Sequence, residues 1–205
     1  MRVKLLNLSA WLFWSILLLG GCSNLDSIST STDLKAIWSR QLLWLEGLQH
    51  WRATGRVAVR SASDAGSASI HWQQAPANFS LRLYGPFGQG TVLIEGQHNS
   101  VSLRRADGQI TRAPSAEELL FRELGWSVPV SVLRYWILGR PAPGYPVEEF
   151  RLNGAGLLGR LSQAGWQVNY QGYREAGEGT LPDKFELRRE ALLVRVVLSD
   201  WQFSE

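Results

Sequence analysis

The stretch Phe79-Ser80-Leu81-Arg82-Leu83-Tyr84-Gly85-Pro86-Phe87-Gly88-Gln89-Gly90-Thr91-Val92-Leu93-Ile94 sets the fold class. Phe79, Leu81 and Leu83 recur at every second position before the glycines, and Val92 and Ile94 do so after them. Each run therefore predicts a strand with one buried face. Three glycines and a proline between them demand a turn and leave little side-chain cover. Phe87 stands at the tip of that turn. Such an aromatic either folds back onto a core or touches something apolar outside the protein, and the turn alone leaves both readings open.

Working outward, the same alternation predicts strands at Ala53–Arg60, Ser67–Gln73, Phe79–Tyr84, Thr91–Glu95 and Ser100–Arg105. Asp107-Gly108 turns the chain into a short strand at Gln109–Thr111. Further strands are expected at about Glu148–Leu152, Leu157–Gln163, Trp166–Tyr173, Lys184–Arg189 and Leu192–Trp201, with Ala164-Gly165 and Glu190-Ala191 as hairpin turns. About eleven strands joined by turns make an antiparallel meander, long enough to curl into a barrel-like form.

Three helices interrupt this mainly β pattern. Asp33 can cap a helix running to about Gln49, in which Leu34, Ile37, Trp38, Leu42, Leu45 and Leu48 recur at helical spacing. Ser115-x-x-Glu118 is a capping box ahead of Leu119, Leu120, Phe121 and Leu124. Pro129 suits the start of a third helix carrying Val132, Leu133, Trp136 and Ile137, and Gly139 stops it.

The amino end reads as an address. Arg2 and Lys4 precede an apolar run from Leu5 to Leu19 that ends in Leu19-Gly20-Gly21-Cys22. A charged start, a short apolar core and small residues at the cut describe a secretory signal, and the run is short for a lasting span of about 17–25 residues. The ending resembles a bacterial lipobox, which implies acylation at Cys22, the chain's one cysteine. With Ser23 rather than Asp after it, the resemblance implies a lipid anchor in the outer membrane of a Gram-negative cell, facing the periplasm. Residues 1–21 are then a lipoprotein signal peptide, 22–32 a lipidated flexible tether, and 33–205 a single folded domain.

Composition narrows the chemistry. The formal net charge of +3 loses two positive charges with the signal, and no basic block with interleaved aromatics points to nucleic acid. A single cysteine excludes an intrachain disulfide and a cysteine-rich zinc site. His50, His71 and His98 are scattered without ligand spacing, and His71 falls on the strand face opposite Ile70 and Trp72. The acidic pairs Glu117-Glu118 and Glu148-Glu149 diverge rather than converge on one bond. There is no P-loop, GxSxG or dinucleotide fingerprint, so the expectation is a non-enzyme without cofactor or metal. Of the ten tryptophans, the eight outside residues 1–21 suit either a heavy aromatic core or an apolar cavity.

Several segments in order resemble the outer-membrane lipoprotein receptor LolB family. They are Thr54-Gly55-Arg56-Val57-Ala58-Val59, His71-Trp72-Gln73-Gln74, Tyr84-Gly85-Pro86-Phe87-Gly88, and Leu133-Arg134-Tyr135-Trp136-Ile137-Leu138-Gly139-Arg140-Pro141. Gly165-Trp166-x-Val168-x-Tyr170-x-x-Tyr173, Leu181-Pro182 and Trp201 follow. The resemblance implies a strongly curved, unclosed antiparallel β-barrel with a helical lid over an apolar cavity. It implies acceptance of client lipoproteins from the periplasmic carrier LolA and their insertion into the outer-membrane bilayer by a monomer. It also implies that Gly85, Pro86, Phe87 and Gly88 form a membrane-insertion loop, with Phe87 where the family usually carries Leu. Candidate linings for the acyl chains are Ile70, Trp72, Leu81, Leu83, Val92, Ile94, Trp136, Ile137, Trp166, Val168 and Val196, each of which could equally be packed core. Two rival readings share the anchor: a carrier of free lipids or other apolar ligands, and a structural envelope-assembly lipoprotein with a filled interior.

Overall fold

The computed structural model describes residues 31–85, 90–97, 100–125 and 127–204. The signal peptide, Cys22, the tip Pro86-Phe87-Gly88, His98 and Trp126 lie outside the described residues.

Alternating burial builds the strands. Helix α1 (Ser31–Gly47) leads into β1 (Trp51–Arg60), β2 (Ala65–Gln74), β3 (Asn78–Tyr84), β4 (Thr91–Gln97), β5 (Ser100–Arg104) and β6 (Ile110–Ala113). Helices α2 (Ala116–Leu124) and α3 (Val130–Trp136) follow, and then β7 (Val147–Leu152), β8 (Leu158–Gln163), β9 (Trp166–Ala176), β10 (Gly179–Arg189) and β11 (Leu192–Phe203). Among the described residues these strands form one antiparallel sheet in the order β6-β5-β4-β3-β2-β1-β11-β10-β9-β8-β7. The chain steps out to one margin, crosses over through α2 and α3, and returns from the other. A single hydrophobic core takes in Leu103 and Ala113 from one margin and Leu158 and Leu161 from the other. That requires the sheet to bend round on itself, yet β6 and β7 stay unpaired with each other, so the barrel is unclosed.

Local chemistry explains the boundaries. Ala164 and Gly165 both take positive φ, 53° and 73°, which a two-residue hairpin turn of the type I′ kind needs. Gly108 (φ 84°) closes the β5–β6 turn, and the Asp107 carboxylate accepts from the Gln109 amide at 3.0 Å. The Ser115 hydroxyl accepts the Glu118 amide proton at 3.2 Å, as a capping box requires.

Several boundaries differ from expectation, and three of them have a local cause. Asp33 sits in the first turn of α1 rather than at its cap, so residues 31 and 32 belong to the helix, which ends at Gly47 rather than Gln49. The third helix ends at Trp136; residues up to Gly139, which is left-handed at φ 77°, form a turn closed by the Gly139 amide on the Trp136 carbonyl. Strand β10 begins at Gly179 and not Lys184. Pro182 hides its first half in the sequence, because a proline cannot donate to a ladder. The register shifts on either side of Lys184 accommodate it, and the Pro182 carbonyl accepts from the Trp201 indole at 3.3 Å.

Candidate functional site

The inward faces of β1, β2, β3 and β11 do not meet a filled interior. Val57, Val59, Ile70, Trp72, Leu81, Leu83, Val194 and Val196 line a cleft roofed by Leu120 of α2, Val128 of the connection, and Val130 and Leu133 of α3. All twelve side chains are apolar, and about 60 Å³ of free space remains between them. Trp72 carries the one polar side-chain atom in this set, and its indole N–H donates to Gln74 Oε1 at 3.2 Å. A wall without donors or acceptors suits hydrocarbon and gives no reward to a polar ligand.

Polar contacts fasten the roof at three points. Glu117 Oε1 accepts from both the amide (3.1 Å) and the hydroxyl (2.8 Å) of Ser131, so α2 and α3 are latched together. At the carboxyl end of α2, Glu123 pairs with Arg105 and lies 3.5 Å from the Thr111 hydroxyl. At the far end of α3, Gln163 is the one buried polar or charged residue among those described. Its Oε1 accepts from the Trp136 indole (2.9 Å) and the Ala142 amide (2.8 Å), and its Nε2 donates to the carbonyls of Ala142 (2.9 Å) and Tyr145 (3.0 Å). The Tyr170 hydroxyl adds a bond to the Trp136 carbonyl at 2.8 Å. Burial raises the Tyr170 hydroxyl well above the usual phenol range, with a smaller contribution from Tyr173, and burial raises Tyr173 as well.

The predicted lining residues divide. Ile70, Trp72, Leu81, Leu83 and Val196 line the cleft. Ile94, Trp136, Ile137, Trp166 and Val168 are buried in the core and do not line it, and half-buried Val92 packs against that core. Seven lining residues were not among the candidates. Val57, Val59 and Val194 are signalled by the alternation of β1 and β11, and Leu120 and Leu133 by the apolar stripes of their helices. Gly85 opens the β3–β4 loop, exposed and at φ 119°, while Pro86, Phe87 and Gly88 fall outside the described residues. Gly90 closes the loop so near the β5–β6 turn that a Cβ there would come within 2.8 Å of Ala106 Cβ. The cleft lies at this loop end of the sheet, since Ile70 pairs with Leu83 two residues before Gly85.

A roomier depression of about 420 Å³ opens at the opposite end, beside His50, Arg52, Gln73, Gln74 and Glu95. Its mixed polar wall makes it a poor seat for an acyl chain despite its size. Exposed His71 meets Tyr84 edge-on at 5.2 Å. Among the described residues no group of three or more His, Cys, Asp or Glu could hold a metal, and no helix is long and apolar enough to cross a membrane.

A family model described as outer membrane lipoprotein LolB matches residues 49–201. The chain belongs to the LolB family. It is 43% identical over 158 residues to the outer-membrane lipoprotein LolB of Halorhodospira halophila, covering 77% of this chain and 78% of that one. It is 40% identical over 188 residues to the LolB of Nitrosococcus oceani, covering 92% and 94%. Among solved structures, a LolA superfamily protein from Nitrosomonas europaea superposes with a TM-score of 0.51 at 10% identity over 82% of this chain and 94% of that one. That likeness extends the curved, unclosed sheet with its helices to a wider set of proteins.

Proposed function

We propose that this LolB-family protein accepts lipoproteins from the soluble carrier LolA, holds their acyl chains in the cleft between the sheet and α2–α3, and releases them into the outer membrane. The observation that carries the reading is the cleft itself: twelve apolar side chains and no polar lining residue, at the loop end of a half-open barrel. Each acyl CH₂ exposed to water costs about 0.8 kcal/mol, so a single long chain costs on the order of 10 kcal/mol. An oily cleft removes that cost without recognising any one client. The hand-over then needs only a gradient, with chains held more favourably here than in the carrier and more favourably still in the bilayer. No nucleotide and no covalent step enter.

The free space of about 60 Å³ is about twice the share of one water molecule, far short of an acyl chain. Loading therefore requires α2 and α3 to move off the sheet. The Glu117–Ser131 latch makes them move together, and the Gln163 cluster holds the carboxyl end of α3 as the pivot. The Glu123 contacts to Arg105 and Thr111 are the ones that part. In this reading residues 1–21 direct export, acylated Cys22 and the tether up to α1 fix the domain to the membrane, and Phe87 in the loop 85–88 enters the lipid beside the cleft.

Transfer of a labelled lipoprotein from purified carrier to outer-membrane vesicles tests the proposal. Wild-type protein should accept and deliver the label, whereas Phe87→Glu should accept it and fail to deliver. Normal delivery by Phe87→Glu would refute the role of the loop. Failure of the wild-type protein to take label from the carrier would refute the receptor reading, and uptake of free fatty acid alone would favour a carrier of free lipids.

A further inference from the structure

A second feature lies at the end of the sheet away from the loop. Gly139 reverses the chain after α3 and brings Arg140 back beside Arg134 and Tyr135. The two guanidinium carbons sit 4.7 Å and 5.0 Å from the centroid of the same Tyr135 ring, and Arg134 Nη2 donates to the Tyr135 hydroxyl at 2.6 Å. Among the described residues neither arginine meets a carboxylate within 4 Å. Glu46 on α1 favours the charge of Arg140 only from longer range, while Arg134 opposes it. The Nε of Arg134 and the Nε of Arg140 are both buried without a hydrogen-bond partner. Burial also lowers the pKa of Arg140 from its ordinary value.

This arrangement is costly without a counter-charge. Exposed arginines repel each other weakly through water, but two partly buried ones held over one ring feel each other more strongly. Stacking on tyrosine offsets part of that and satisfies no Nε–H. The terminal carbonyls of α3 favour nearby cations, yet they leave the same two donors unmet. Both side chains line a pocket with about 130 Å³ of free space, walled by Leu48, Trp51, Pro76 and Leu138 and bordered by Gln49 and Gln74. That volume holds a tetrahedral oxyanion and a water or two.

We propose that Arg134 and Arg140, converging on the pocket between the end of α1, the β2–β3 turn and the end of α3, form a binding site for a phosphate group. Phosphate rather than carboxylate follows from the charge. Two permanent guanidinium cations are balanced by an anion carrying close to two negative charges, as a phosphate monoester does at neutral pH, and their forked donors match its oxygens. The group comes either from free phosphate or from a phosphatidic-acid type headgroup. The site is independent of the acyl cleft, with Trp51 and Trp72, ring centroids 5.4 Å apart, standing between the two.

The test is an NMR titration of the ¹⁵N-labelled full chain in neutral detergent, following the arginine Nε–H signals. Inorganic phosphate is one arm, dihexanoyl phosphatidic acid the second, and chloride at matched ionic strength the control. The expected result is a saturable shift of the Arg134 and Arg140 Nε–H signals with phosphate or phosphatidic acid and none with chloride. Saturation by both assigns the site to any phosphate monoester, and saturation by phosphatidic acid alone assigns it to a lipid headgroup. Arg134→Gln and Arg140→Gln should each weaken half-saturation by about tenfold or more, the worth of a charged hydrogen bond. Should a Gln variant fail to fold, Arg134→Lys and Arg140→Lys keep the charge, lose the fork, and should still weaken binding. Shifts that chloride reproduces, no shift in either arm, or affinity unchanged by the substitutions would overturn the site.

Discussion

The two halves of this sheet both bury apolar inward-facing strands and end differently. On β8, β9 and β10 the interior is filled by Leu158, Leu161, Trp166, Val168, Tyr170, Phe185 and Leu187, closed over by Trp136 and Ile137. On β1, β2, β3 and β11 the interior is mostly Val, Ile and Leu and keeps free space beneath α2 and α3. The difference lies in polar handles. Three large aromatics here carry an N–H or O–H that is met inside the fold: Trp136 with Gln163, Tyr170 with the Trp136 carbonyl, Tyr173 with the Leu158 carbonyl at 2.6 Å. Those bonds lock one packing. In the cleft half the indole bonds of Trp72 and Trp201 run to Gln74 and to the Pro182 carbonyl and none reaches the roof, so the roof can lift without stranding a buried donor. A rigid, hydrogen-bonded core thus carries a compliant, oily one on the same sheet.

Trp136→Ala attacks the filled half where it is most committed. It empties a fully buried indole site and strands Gln163 Oε1, and should cost about 3–5 kcal/mol in denaturant unfolding. A cost below about 1 kcal/mol would mean that this half is as compliant as the other. Gln163→Leu keeps the volume and abandons the Trp136 indole, the Ala142 amide and two carbonyls, and should cost about 2–4 kcal/mol in the same measurement.

Alkali probes the same locking without mutation. Tyr170 and Tyr173 are held neutral by burial, so their folded pKa values lie above the unfolded value near 10. Below pH 10 both states keep the protons and stability does not depend on these groups. Above it the unfolded chain loses them first, and stability should fall by about 1.4 kcal/mol per pH unit for each tyrosine until the folded groups also ionise. Unfolding midpoints followed from pH 8 to 11 should be level and then drop. Tyr173→Phe should shallow the drop, and a slope unaltered by that change would contradict the assignment.

Val57→Phe is the mildest expected change in stability and the sharpest in function. Val57 is half-buried against free space, so the larger ring should fill the cleft with a stability change within about 1 kcal/mol. Uptake of a fluorescent fatty acid should be lost, and retained uptake would place the acyl site elsewhere.

Strand positions were legible because alternation is a local property. Ser67–Gln73 and Thr91–Glu95 alternate cleanly, and both extend in the structure by two residues at most at each end. Pro182 concealed half of β10 because the bulge that tolerates it depends on its neighbour β9. The cleft was less legible for a related reason. Ile70-x-Trp72 and Trp166-x-Val168 look the same along a chain, and what separates them is where α3 lays Trp136. The Arg134–Tyr135–Arg140 cluster was visible as a run of residues, but its convergence depends on the reversal at Gly139.

The claim that matters most is that hydrocarbon enters one half of the sheet and not the other. Methyl NMR of the protein titrated with palmitate measures this directly. The account predicts saturable shifts at Val57, Leu83, Leu120, Leu133 and Val196, with Leu158, Leu161, Val168 and Leu187 unmoved. Shifts confined to the second group, or spread evenly over both, would contradict it.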